Sequence, residues 1–269
     1  MLTIDEVRSA IETEHARWEA EENEIFIVAS ADDRDASGLF GLNIEDDTGR
    51  LRAASENLFE ALTAAEPPRR VDWRERGRVT PVKNQRKCGA CVAFATCATM
   101  ESSVWIRTGN SVVLSEGHLF HCHGGSCATG WGLTHGLDAA QNGVGLDSLL
   151  PWSTDGVCKH IPAATHVLQY RVHADDPSRR RAVASGPVLA GMDVYQDFTA
   201  YRTGVYKHVT GSRRGRHAVC IVGYDMDDGC WIVKNSWGPD WGEGGFFRIA
   251  FGQCNLDTAY PFYSVVTGP

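Results

Sequence analysis

The segment Gln85-Arg-Lys-Cys88-Gly-Ala-Cys91 runs directly into a stretch of small and apolar residues, and this junction constrains the fold most. Ala93, Phe94, Ala95, Cys97, Ala98 and Met100 predict a helix that begins at or just before Cys91 and extends to about Thr108. A thiol at a helix N-terminus gains thiolate character from the helix dipole, and a thiolate is the nucleophilic form of cysteine. Its proton needs a base. Two frames far downstream supply one, Arg216-His217-Ala218-Val219 and Asn235-Ser236-Trp237-Gly238, placing His217 126 residues and Asn235 144 residues after Cys91. His can take the thiol proton and return it to a leaving amine, while an amide side chain orients the imidazole. A lone buried Cys or His is more often inert packing. Three distinctive frames together instead make a kit for nucleophilic attack on an amide.

A chain of 269 residues with 43% hydrophobic content can bury a substantial core. It has no apolar run of 18 residues, so no membrane span is expected. Met-Leu-Thr-Ile-Asp-Glu-Val-Arg lacks the basic cap and apolar core of a secretory signal, which makes a cytoplasmic location the default expectation. The net charge of −8 is uneven: residues 1–66 carry 17 acidic and 5 basic side chains, and residues 67–269 carry 17 acidic and 21 basic. An acidic segment (net −12) beside a mildly basic body (net +4) implies mutual attraction, and nothing in the pattern suggests nucleic-acid or membrane partners. The bland reading of the segment is a solvated, solubilising appendage.

Thr3-Ile-Asp-Glu6 has the form of a capping box, and Ile4, Val7, Ile11 and Trp18 fall near one helical face through about Glu21. Residues 29–50, rich in Asp, Gly and Ser, read as loop, and Leu51 to Ala65 as a second helix. Glu66-Pro67-Pro68-Arg69-Arg70 is a natural linker, dividing an N-terminal segment (1–66) from a body (67–269). Within the body, Val188-Leu-Ala, Ala218-Val-Cys-Ile-Val and Trp231-Ile-Val-Lys read as short buried strands.

The stretch from Val71 to about Phe262 resembles the papain-like cysteine proteases. The resemblance is carried by Val71-Asp-Trp-Arg74, Thr80-Pro-Val-Lys-Asn-Gln85, Cys88-Gly-Ala-Cys91, Leu114-Ser-Glu116, His217-Ala-Val219, Lys234-Asn-Ser-Trp-Gly238, Trp241-Gly-Glu-Gly-Gly245 and Phe247-Arg-Ile249. It implies an α+β, two-lobed fold, with a helical left lobe to about residue 165 and a β-barrel-like right lobe, the cleft lying between them. The implied activity is endopeptidase hydrolysis through a thioester, on a peptide or protein substrate and with no cofactor or metal. Cys91 would be the nucleophile, His217 the base and acid, and Asn235 the group orienting His217. Trp237 would shield that bond, and Gln85 would donate to the oxyanion with the Cys91 backbone N–H. Gly130 matches the glycine whose backbone pairs with extended substrate and Trp131 the aromatic after it, while Gly191 and Arg216 would border a roomy pocket with a basic edge.

The resemblance also implies disulfides Cys88–Cys127 and Cys122–Cys158. Cys97, Cys220, Cys230 and Cys254 stay unassigned, with Cys97 and Cys220 expected as buried thiols. An alternative reads His121, Cys122, His123 and Cys127 as a zinc site, although four ligands within seven residues is tight spacing. Disulfides favour an oxidising compartment, in tension with the missing signal. Val92 stands where the family usually has Trp, and Arg216 where papain has Asp; with the acidic segment they mark a divergent branch, of a bacterial type. The segment lacks the usual pro-helix pattern, yet as a zymogen's inhibitor it would occupy the cleft. Two rivals remain at this stage, a peptide ligase or transpeptidase using the same thioester and a catalytically inert binding protein.

Overall fold

The computed structural model describes residues 2–31, 37–43 and 66–269. The helix expected over Leu51–Ala65, and residues 32–36 and 44–50 of the loop expected over 29–50, lie outside the described residues.

The N-terminal segment opens with α1 (Ile4–Thr13), where the Thr3 hydroxyl accepts from the Glu6 amide and the Glu6 carboxylate accepts from the Thr3 amide. This reciprocal pair satisfies two amides that the first helical turn leaves open. The helix ends well before Glu21. His15 turns the chain in the left-handed region (φ 48°), so Trp18 is not on the helical face but starts strand β1 (Trp18–Ala20). Sheet pairing and burial of the indole outweigh the helical period there. Helix α2 (Glu24–Ala31) follows, and Ser37–Leu39 form a short 3-10 turn, so the expected 29–50 loop holds regular structure at both places.

In the body, β2 (Arg70–Asp72) leads to the central helix α3 (Cys91–Thr108). Buried nearly all round, α3 carries the small Ala93, Ala95 and Ala98 that permit close packing, and Gly109 (φ 77°) ends it in the left-handed conformation. Helices α4 (Glu116–His121) and α5 (Leu133–Ala140) complete the left lobe. Lys83 ties these elements together, donating to Glu101 on α3, to Glu116 on α4 and to the Leu114 carbonyl. Burial nevertheless pushes the Glu116 carboxyl up to about 7.

The right lobe is built on strands β3 (His166–His173), β4 (Val188–Tyr195), β5 (Tyr201–Tyr206), β6 (Arg213–Asp225), β7 (Cys230–Lys234), β8 (Phe246–Ala250) and β9 (Phe262–Gly268), with α6 (Asp176–Ser185) between β3 and β4. The sheet runs β1-β5-β8-β7-β6-β4-β9-β3, with β2 also paired to β6. It is not closed into a barrel, which corrects the barrel-like expectation. One edge is β3, and the other is β1, contributed by the N-terminal segment. Two main cores result. One packs α3–α5 against Leu189, Ala218 and Tyr263, and the other fills the right lobe and takes in Val7, Trp18 and Phe26.

Cys88 is bonded to Cys127 and Cys122 to Cys158, so neither Cys122 nor Cys127 offers a thiolate to a metal. Two disulfides fit an oxidising compartment. Cys97, Cys220, Cys230 and Cys254 are free and buried.

Candidate active site

Cys91 is the first residue of α3, and no side chain caps that helix, so its first-turn amides remain available to an anion at the sulfur. On the facing strand β6, the His217 ring meets Asn235, which follows β7, with Nε2 to Oδ1 at 2.8 Å. The opposite nitrogen, Nδ1, is buried and has no hydrogen-bond partner among the described residues. Trp237 covers the imidazole at 4.9 Å between ring centroids. Asn235 is held in turn, its Oδ1 also accepting from the Ser236 amide at 2.8 Å.

Gln85 is completely buried. Its Oε1 accepts from the Ser236 hydroxyl at 2.5 Å, and its Nε2 donates to the Cys88 carbonyl at 2.8 Å and more weakly to the Leu39 carbonyl at 3.4 Å. Ser236 thus links the amide of Gln85 to the Asn235–His217 pair, a role the sequence reading did not assign. Its place between Asn235 and Trp237 was the available signal.

A second missed feature is the strip Leu39-Phe40-Gly41-Leu42-Asn43, which lies in the cleft. Gly41 accepts from the Trp131 amide, the Trp131 carbonyl accepts from Asn43, both at 2.8 Å, and Leu42 donates to the Arg216 carbonyl at 3.3 Å. The approach is close: a Cβ on Gly41 would sit 2.0 Å from the Gly89 oxygen, and one on Gly130 (φ 65°) would sit 1.7 Å from the Gly41 oxygen. The backbone that pairs with the strip is therefore that of Trp131, with Gly130 leaving room beside it. Leu42 fills the space next to Gly191, where a Cβ would meet its side chain at 2.6 Å and Tyr260 at 3.0 Å. Arg216 on β6 borders this place through its carbonyl, in register with Asp193 on β4. Phe40 packs edge-on against Trp237. Gly residues interleaved with large apolar ones inside an acidic stretch were the signal for this strip.

Burial sets the electrostatics. It pushes the Cys91 thiol up to about 11, although backbone amides of Ala218 and Gly41 at the sulfur pull the other way. It pushes His217 down to about 4, against the hydrogen bond that the ring makes to the Asn235 oxygen. In this covered state burial thus favours the neutral thiol and the neutral imidazole.

Residues 67–263 match the family model described as papain family cysteine protease. Ananain from Ananas comosus is 35% identical over 229 residues, covering 78% of this chain and 66% of that protein. Cathepsin L2 of Homo sapiens is 32% identical over 220 residues, 74% of this chain and 66% of that protein. The matched stretch thus spans just under two thirds of these curated relatives. Among solved structures, a recombinant stem bromelain precursor has a TM-score of 0.78 at 26% identity, covering 97% of this chain and 87% of that one. With the family model matched across most of its length, this chain belongs to the papain family of cysteine proteases.

Proposed function

We propose that this chain is a cysteine endopeptidase made in a latent form. The observation that carries the reading is the buried, unpartnered Nδ1 of His217, on a ring whose other nitrogen is fixed by Asn235. Once the cleft is open, Nδ1 takes the Cys91 proton and the thiolate attacks the scissile carbonyl. Gln85 Nε2 and the Cys91 backbone N–H hold the resulting oxyanion. Collapse of that intermediate breaks the C–N bond, and His217 gives the proton to the leaving amine, leaving a thioester on Cys91. Water, deprotonated by His217, hydrolyses the thioester and restores the thiol. Trp131 and Gly130 would pair with the substrate backbone, and the space by Gly191 would take a substrate side chain where Leu42 now sits.

Residues 1–66 act as the intramolecular inhibitor, with Gly41 lying over the thiol. Removal near Pro67-Pro68-Arg69-Arg70 takes place before Pro68. The Pro68 carbonyl accepts from the Tyr224 hydroxyl and the Arg69 carbonyl from the Met226 amide, so the chain from there on is tied to the body. The test is incubation of purified wild type and Cys91→Ala at acidic and neutral pH. Wild type should shorten and cleave peptides while Cys91→Ala does neither. Wild type that cleaves peptides yet stays full length sinks self-removal. Absence of Cys91 labelling by an epoxide probe in the shortened protein sinks the peptidase reading and leaves an inert binding protein.

A further inference from the structure

A second cavity, of about 480 Å³, lies on the left lobe and is lined by His118, His123, His160, Asn142, the Cys122–Cys158 disulfide and the segment Ile161-Pro162-Ala163. None of these residues belongs to the catalytic cleft described above. The disulfide creates the site: it pins the 158–163 loop to the end of α4, bringing His160 to the two histidines of that helix end. His118 is buried, and its ring meets that of His123 edge-on at 6.1 Å. His123 and His160 both lie close enough to His118 to add to burial in lowering it.

The hydrogen bonds assign the ring protons. His118 Nδ1 faces the Gly145 amide at 3.2 Å and must accept from it, so Nε2 of the neutral ring carries the hydrogen. His123 Nδ1 faces the Leu119 carbonyl at 3.0 Å and must donate to it. His123 can therefore gain a proton at Nε2 without losing that bond. Among the described residues no group of three or more His, Cys, Asp or Glu side chains is placed to hold a metal ion, and the disulfide sulfurs are not thiolates. His118 carries its one N–H donor on Nε2, and a proton on His123 Nε2 would add another.

Carboxylates around the cavity have other partners. Glu116 on α4 holds Lys83, Asp138 on α5 holds the Tyr170 hydroxyl, and Asp147 is positioned near Lys83 and Glu101. Asp155 accepts from Ser153, while His121 stacks on Trp152 and meets the Ser153 carbonyl. His135 on α5 stacks on Trp131. Lys159, in the same loop as His160, adds a further cation to this part of the surface.

We propose that this cavity is a binding site for an organic sulfate or phosphate ester, with the oxyanion held by His118, His123 and His160 and the organic body against Ile161-Pro162-Ala163. The volume is in the range of small-molecule sites, and an imidazole cluster is a receptor that acid turns on. The site is separate from peptide hydrolysis and does not rest on it.

Full-length Cys91→Ala protein, which cannot process itself, is titrated calorimetrically with sodium sulfate and with glucose 6-sulfate at pH 5.5 and 7.5. Sulfate keeps its charge across this range, so any pH dependence comes from the protein. Glucose 6-sulfate should bind at pH 5.5 at least about tenfold more tightly than at pH 7.5. H123Q/H160Q should lose that binding at pH 5.5, while H121Q, outside the cavity, keeps it. The glutamine variants preserve side-chain bulk, and an intact-mass count of free thiols verifies the Cys122–Cys158 bond. Binding that is unchanged in H123Q/H160Q, or equal at both pH values, overturns the proposal. Binding of inorganic sulfate with exclusion of the ester overturns the assignment of an organic ligand.

Discussion

The described residues of the N-terminal segment meet the body as a platform and as a cleft strip, and the two are held very differently. The α1–β1–α2 platform is anchored by side chains: Trp18 is buried against Tyr206 and Tyr201, its indole N–H donates to the Lys207 carbonyl, and β1 extends the sheet along β5. Val7 and Phe26 enter the same core. The cleft strip places Leu39 and Leu42 in buried positions and Phe40 against Trp237, but it is tied down by backbone bonds to Trp131 and Arg216 and by a glycine whose amide reaches Cys91. The division is functional. On the latent-enzyme proposal, affinity would reside in the platform, away from the chemistry, and the strip over the thiol could be held more weakly.

Breaking the platform should have the largest effect. Trp18→Ala removes a buried aromatic and its hydrogen bond, a loss of about 3–5 kcal/mol. The Cys91 thiol of the full-length protein should then react with an epoxide probe at least about 100-fold faster, since 1.4 kcal/mol is a factor of ten. The control is the melting of the separately prepared, shortened body, which lacks Trp18. An unchanged labelling rate in Trp18→Ala would mean that the strip holds itself.

Acid acts on the strip rather than on the platform. Burial pushes His217 down to about 4 in the covered state, from its ordinary 6.5. The lowered value means that the covered state binds its proton last, so its stability is fully present above pH 6.5 and is lost as pH falls toward 4. The difference is worth on the order of 3 kcal/mol, because each pKa unit corresponds to 1.36 kcal/mol. Labelling of full-length wild type should accelerate between pH 6.5 and 4, and this dependence should flatten in His217→Gln if the probe still reacts with Cys91. A labelling rate that falls monotonically with acid, as for a simple thiol, would remove His217 from the latch.

Within the strip, Gly41→Ala is sharper than Leu42→Ala although it adds only one methyl. The new Cβ would meet the Gly89 backbone at 2.0 Å, and backbone cannot yield as a flexible side chain does. Leu42→Ala forfeits roughly 2–3 kcal/mol of burial. Both variants should label faster than wild type while α1 and β1 stay docked, as read by amide exchange at Trp18 to Ala20. Undocking of β1 in either variant would show that platform and strip are one cooperative unit.

What could be read from the sequence follows the same division. The Thr3–Glu6 capping box, the start of α3 at Cys91 and its end near Thr108 are local, and residues three or four apart decide them. The frames around Cys91, His217 and Asn235 were legible because side-chain chemistry is written in residue identity. Trp18 was misplaced because the left-handed turn at His15 and a sheet edge contributed by β5 are tertiary facts. The strip escaped because its partners are backbone groups of Trp131 and Arg216, which carry no signature of their own. The open sheet escaped for a related reason: its outer edge is completed by the N-terminal segment rather than by closure on itself.

The smallest test probes whether the platform needs its own internal order. Thr3→Ala removes the hydroxyl that caps α1, a cost of about 1 kcal/mol, without touching the body. If α1 serves only to present Val7 to the core, fraying its first turn leaves Trp18 and β1 in place, and Cys91 labelling should rise by less than about fivefold. A rise matching that of Trp18→Ala would mean that α1 and β1 dock as a single body whose weakest end sets the latch. The platform would then be no stronger than its first helical turn.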